Sequence, residues 1–264
     1  MYIVESIGMV DYWPAPWGWI KTPWYEWQQR AINADYHVAM MKLSPEYQVK
    51  FDEVTARSFF EQWEGTPYGI QSFIFIFIDT LLYNLPYPCT PDLFTLLATF
   101  VERLIPPQIS LSAYTLLIEG YNHRLNSNCT TLQCVFEIID PMKIDLLELT
   151  TWPESDSYMY DGHPSLTCAS FVTALYKAAG IFSAIDTEIN ASEQTPKDLY
   201  QMAIWDPNWQ LPAGCKKADP ALPYCQFIGN YSLVLPGWNS IIPYQNINEA
   251  CPSLGPLYYR SPAC

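Results

Sequence analysis

Over residues 165–180 the apolar positions recur every three to four residues. Phe171, Leu175 and Ala179 follow Cys168 at i+3, i+7 and i+11, which places all four on one face of a helix. Pro164 and Ser165 supply the opening, Lys177 stands in the last turn and Gly180 supplies the stop. Elsewhere the pattern alternates. Tyr2-Ile3-Val4 predicts a short strand, a Trp/Pro-rich loop follows, and His37 to Leu43 predicts a second strand. Ser44 and Pro45 open a helix predicted to run to about Trp63 and stop at Gly65, before a turn over Gly65-Thr66-Pro67-Tyr68-Gly69. Two amphipathic helices over 92–105 and 110–126 are joined by Pro106-Pro107, and a third covers 134–149. Thr195 is placed to cap a helix that begins Pro196-Lys197-Asp198, and from Pro207 onward the pattern is loop and short strand.

The run Phe73 to Ile78 is wholly apolar, but Gln71, Ser72 and Asp79 bracket it. It falls far short of the roughly 20 residues a membrane span needs, so a buried element is expected there. Without internal repeats or a flexible linker, the chain reads as one α+β domain with a C-terminal extension.

Composition narrows the class. With 50% apolar residues, 12 Phe, 19 Tyr, 10 Trp and only 15% charged residues in 264, the chain has ample length for a core and is neither a disordered tail nor a coiled coil. Its net charge of −14 argues against nucleic acid and anionic membranes as partners. Eight cysteines are present, and Cys215, Cys225, Cys251 and Cys264 lie in a C-terminal stretch with little helical periodicity. Such a segment buries few apolar faces, and disulfides are a natural way to fix it. Cys129 and Cys134 are spaced for a local bridge. A zinc site lacks both a paired C-x-x-C and a nearby His cluster, and no cofactor is expected.

Sequons at Asn128, Asn190 and Asn230 fall in polar, loop-like sequence. Taken with the clustered cysteines they favour a secreted or lumenal setting. Residues 1–20 carry Glu5 and Asp11 and no basic stretch ahead of an apolar core, which is not a signal peptide. The expectation is therefore that the native N-terminus lies upstream of Met1.

Cys168 is the foremost chemical candidate. A thiol in the first turn of a helix meets unpaired backbone N–H groups and the positive end of the macrodipole, both of which favour a thiolate. Nucleophilic cysteine enzymes use that arrangement; a buried structural cysteine is the alternative. The aromatic residues of 12–27 are candidates for a sugar- or lipid-facing wall, or for core.

The order of motifs carries a resemblance. Val4-Glu5-Ser6 ends a strand, Gly65-Thr66-Pro67-Tyr68-Gly69 follows, and Thr167-Cys168-Ala169-Ser170-Phe171-Val172 comes late. This resembles circularly permuted NlpC-like cysteine peptidases, a papain-like class that includes lecithin retinol acyltransferase-like enzymes. A secreted eukaryotic family with this core looks closer still. That likeness rests on Tyr68-Gly69 leading into Ile78-Asp79-Thr80, Pro153-Glu154 before Tyr158 and Tyr160, and Thr187-Glu188. It extends to a tail from Pro223-Tyr224-Cys225-Gln226 through Asn248-Glu249-Ala250-Cys251-Pro252-Ser253.

The resemblance implies a papain-like antiparallel sheet packed on helices over 1–206, with a helical insertion at about 84–150 and a disulfide-tied extension over 207–264. It makes Cys168 the nucleophile, Glu5 the residue that orients the catalytic imidazole, and Tyr68 a cleft-lining neighbour of the thiol. The catalytic His belongs on a strand ahead of Tyr2, outside this sequence. His37 and His163 are weaker substitutes, and His123 reads as surface. Glu5 also reads as an ordinary solvated carboxylate, and Tyr68 as a turn aromatic packed on the core.

The implied activity is thiol hydrolysis or acyl transfer on an amide or ester, in a peptide, glycan-linked or lipid-like substrate. The alternative is an inactive papain-like scaffold that binds or assembles outside the cell. Setting Cys168 aside leaves seven cysteines, an odd count that predicts one pairing outside this chain, with an extracellular assembly partner, or with an N-terminal segment ahead of Met1; Cys89 is the candidate.

Overall fold

The computed structural model describes residues 1–8, 14, 16–69, 72, 107–144, 146, 149, 159–160, 162–185, 189–229 and 235–244. The apolar run Phe73–Ile78, Cys89, the helix expected over 92–105, Asn230, Cys251 and Cys264 lie outside the described residues. The chain divides into two units, one of which takes Met1–Tyr68 and Leu166–Asn248. The described elements of the other lie within Gly69–Ser165.

The first unit is organised on a two-stranded antiparallel ribbon. Strand β1 (Tyr2–Ile7) pairs with β2 (Gly18–Pro23) in a register that sets Glu5 opposite Ile20 and Ser6 opposite Trp19. Successive side chains of a strand point to opposite faces. Val4 and Trp19 face a core with Phe60 and Phe171, while Ile3 and Ile7 pack on Trp27 and Ala31. Trp27 and Ala31 belong to helix α1 (Trp24–Asn33), and Phe60 to α3 (Glu53–Trp63). Phe171 lies on α6, which spans Cys168–Ala178. The Trp19 and Phe171 rings meet edge to face at 4.7 Å, a favoured aromatic geometry.

Gly18 lets the turn after α3 close on β2. Trp19 N–H donates to Thr66 O at 2.8 Å and Gly65 N–H to Trp19 O at 2.9 Å. Gly18 has φ +98°, and a Cβ there would lie 2.1 Å from Thr66 O, so only glycine allows this approach. The pairing carries the chain into Tyr68.

The helix expected from Ser44 to Trp63 is two helices, α2 (Pro45–Lys50) and α3. Asp52 is the reason. Its carboxylate accepts from Val54 N–H at 2.9 Å and Thr55 N–H at 3.2 Å, an N-cap that restarts the helix, and its own N–H donates to Ala179 O at 2.8 Å. The second predicted strand shrinks to β3 (Val38–Met40), paired antiparallel with β6 (Cys225–Ile228).

Between these elements a second core gathers Ile181, Phe182, Ile189, Met202, Ile204 and Trp205. Thr195 caps α7 (Pro196–Gln201) through a reciprocal capping box with Asp198. A disulfide joins Cys215, on α8 (Ala213–Ala218), to Cys225 on β6.

The second unit contains α4 (Pro107–Leu125) and α5 (Leu132–Met142), packed through Ile118, Tyr121, Val135 and Ile139 with Leu146 and Leu149. A disulfide joins Cys129 to Cys134. Met159–Tyr160 (β4) and His163–Pro164 (β5) form a minimal hairpin. Helices with small antiparallel sheets make the fold α+β. No helix among the described residues is long and apolar enough to cross a membrane.

Candidate functional site

Cys168 is the first residue of α6, exposed, and the free cysteine among the described residues. The helix was expected to open at Pro164 and Ser165. Pro164 instead lies in β5, and Thr167 is the N-cap in extended conformation.

Two hydroxyl contacts fix this entry. Ser6 Oγ, buried on the Val4 side of β1, donates to Leu166 O at 3.1 Å. Thr167 Oγ1 lies 2.9 Å from Ser170 Oγ, which donates to Ser192 O at 3.1 Å. Each hydroxyl has one proton, so Thr167 donates to Ser170 and Ser170 to the Ser192 carbonyl. The Thr167 side chain caps no backbone N–H.

Tyr68 meets the thiol: its hydroxyl donates to Cys168 Sγ at 3.8 Å, across 100 residues of sequence. Burial, and next the negative charge that a Cys168 thiolate carries, push the Tyr68 phenol up to about 12. The phenol therefore keeps its proton and remains a donor when the sulfur is ionised.

Glu5 stands elsewhere. It alternates with Val4 and Ser6, so it shares the Ile3 and Ile7 face against α1, and its carboxylate accepts from Trp27 Nε1 at 2.9 Å. Burial raises its pKa, against the lowering effect of the Trp27 hydrogen bond and the Arg30 charge. The Cys168 helix packs on the opposite face, through Val4, Trp19 and Phe171. Tyr68 and Cys168 are thus brought together, and Glu5 is not brought to them.

His37 precedes β3 and packs against Gly229, where a Cβ would come within 2.1 Å of its Nδ1. His163 is on β5, with Nδ1 3.3 Å from Pro164 O. His123 is exposed near the end of α4. Among the described residues no imidazole is a hydrogen-bond partner of Cys168, and no group of three His, Cys, Asp or Glu could hold a metal ion.

The aromatic stretch is divided between roles. Trp19 and Trp27 are buried in the two faces of the ribbon, Trp24 stacks on Trp27 at 5.9 Å, and Tyr25 is exposed. Asn128 is exposed, whereas Asn190 is half-buried, with Oδ1 accepting from Ser192 Oγ at 2.7 Å.

Sequence reasoning missed Ser6, Ser170 and Trp27. Ser6 was within reach, because a polar residue two positions from Val4 on the same strand face needs a buried partner.

No protein-family model matches the chain, and no curated protein or solved structure matches it either. The likeness to permuted NlpC-like enzymes therefore rests on the residues themselves.

Proposed function

We propose that the protein is a thiol-dependent hydrolase or acyltransferase of the papain-like, permuted NlpC-like kind, with Cys168 as nucleophile, acting in a secretory or extracellular setting. The observation that carries this reading is an exposed free thiol on the first residue of a helix, within hydrogen-bond reach of a phenol that stays protonated. A thiol at a helix N-terminus is the arrangement that nucleophilic cysteine enzymes use. Two disulfides suit an oxidising compartment.

The chemistry follows from those groups. Sγ bonds to the carbonyl carbon of an amide or ester, and the carbonyl π electrons move onto oxygen. In this reading the Cys168 backbone N–H, at the start of the helix, stabilises that oxyanion. The bond to the amine or alcohol then breaks, the leaving group takes a proton from an acid, and a thioester remains. Water or a second nucleophile adds to the thioester and regenerates the thiol. In the resembling class the acid is an imidazole on a strand ahead of β1.

A second reading, a papain-like scaffold retained for binding, is favoured by one observation. Glu5, the counterpart of the imidazole-orienting residue, is held by Trp27 on the face away from α6.

The test is trapping of a thioester on the intact chain with an activated ester, alongside Cys168→Ala. The reading expects a Cys168 adduct that water discharges. It also expects loss of turnover in Cys168→Ala with stability changed by no more than about 1–2 kcal/mol, because the side chain is exposed. A stable adduct that never discharges favours the scaffold.

A further inference from the structure

The sequon Asn128-Cys129-Thr130 overlaps a disulfide. Its middle residue is bonded to Cys134, five positions on, and is buried among Ile118, Tyr121, Val135 and Ile139. Both flanking residues are exposed. The Cys129 backbone is also taken: its N–H donates to Asn122 Oδ1 at 2.6 Å, and its C=O accepts from Asn122 Nδ2 at 2.8 Å. Asn122 further accepts from Ser127 Oγ at 2.8 Å, and Asn126 holds φ +50° where the chain leaves α4. Thr131 caps α5 by accepting from Cys134 N–H at 3.3 Å. The acceptor segment is therefore pinned on both sides and through its centre.

We infer that N-glycosylation at Asn128 and closure of the Cys129–Cys134 bridge compete, so that a glycan reaches Asn128 only before the bridge closes. The inference rests on the secretory setting proposed above. Glycosylation joins the Asn128 amide nitrogen to the anomeric carbon of a sugar, with loss of the amide proton and departure of the donor's lipid diphosphate. The transferring enzyme must grip the tripeptide backbone and the Thr130 hydroxyl together, and in the closed loop the Cys129 N–H is already committed to Asn122 and its side chain to Cys134. Bridge formation takes two electrons and two protons from the two thiols and passes them to an oxidised dithiol-exchange protein. A loop this short closes at low entropic cost, so the chemical step of oxidation, not the search, sets the time the sequon stays open. Asn190 is the internal control. Its sequon Asn190-Ala191-Ser192 is closed by the Ser192 Oγ to Asn190 Oδ1 hydrogen bond and packs on α6 without any disulfide.

The experiment is cell-free synthesis with microsomes of the full chain fused behind a cleavable signal sequence, with glycan occupancy read peptide by peptide. Three samples are compared: wild type, wild type with dithiothreitol, and Cys134→Ser. The inference expects partial occupancy at Asn128 in wild type, rising several-fold in both other samples, with Asn190 unchanged by Cys134→Ser. Full occupancy of Asn128 in oxidised wild type, or indifference to both treatments, overturns the competition and leaves the secretory reading standing. An equal rise at Asn190 in Cys134→Ser also overturns it, because general unfolding then explains the gain. Absence of glycan from Asn128 in every sample, on chains shown to be protected inside the microsomes, overturns the inference.

Discussion

Replacing Tyr68 by Phe isolates one interaction at the thiol. The ring and its packing stay, while the O–H that donates to Cys168 Sγ at 3.8 Å is lost. A hydrogen bond to a charged group contributes about 1.5–3 kcal/mol. The contact here is long and open to water on the sulfur side, so about 1 kcal/mol is its share, and losing it should slow reaction at the thiol by up to about fivefold. The assay is pseudo-first-order alkylation by iodoacetamide at neutral pH, with the modified peptide quantified by mass spectrometry. In urea the two chains should react alike, since the contact exists only in the folded state. Alkylation as fast as wild type would refute the donor role of Tyr68. Faster alkylation would mean that the phenol shields the thiol rather than activating it.

Other outcomes follow from the same contacts. Because burial raises the Glu5 pKa, the folded chain holds that proton more tightly than the unfolded chain does. Its stabilising contribution is complete below the unfolded carboxyl value of about 4.3 and is lost as pH rises through the raised folded value. Glu5→Gln keeps an acceptor for Trp27 Nε1, so its stability relative to wild type should climb as pH is taken upward through that window. Urea melts that show a flat or falling difference would contradict the burial argument. Phe171→Ala removes a fully buried ring wedged against Trp19 and Phe60 and should lower unfolding free energy by about 3–5 kcal/mol; a loss under about 1 kcal/mol would contradict the packing described.

Local chemistry carried much of what the sequence made legible. Thr195 and Asp198 announce their capping box within four residues, and the apolar stripe of Phe171, Leu175 and Ala179 announces α6. The misjudged points depend on contacts distant in sequence. Asp52 breaks the predicted long helix because its side chain caps α3 while its N–H is claimed by Ala179 O. Strand β3 is short because only Val38–Met40 pairs with β6, far along the chain, while Leu43 forms an isolated bridge to Trp205.

The site divides in the same way. Alternation along β1 shows that Glu5 cannot share a face with Val4 and Ser6. Which face receives the cysteine helix is decided by Trp19 and Phe171, a choice no local pattern contains. Tyr68 reaches Cys168 only because Gly18 lets Thr66 close on β2.

The central claim is that Cys168 is an activated nucleophile, and the most direct test is alkylation of the unreduced native protein with the labelled cysteine located by mass spectrometry. The account predicts that Cys168 is labelled at neutral pH well ahead of a free cysteine peptide, while Cys129, Cys134, Cys215 and Cys225 stay unlabelled in their disulfides. A Cys168 that reacts no faster than the peptide, or that is found oxidised to another cysteine, would contradict it.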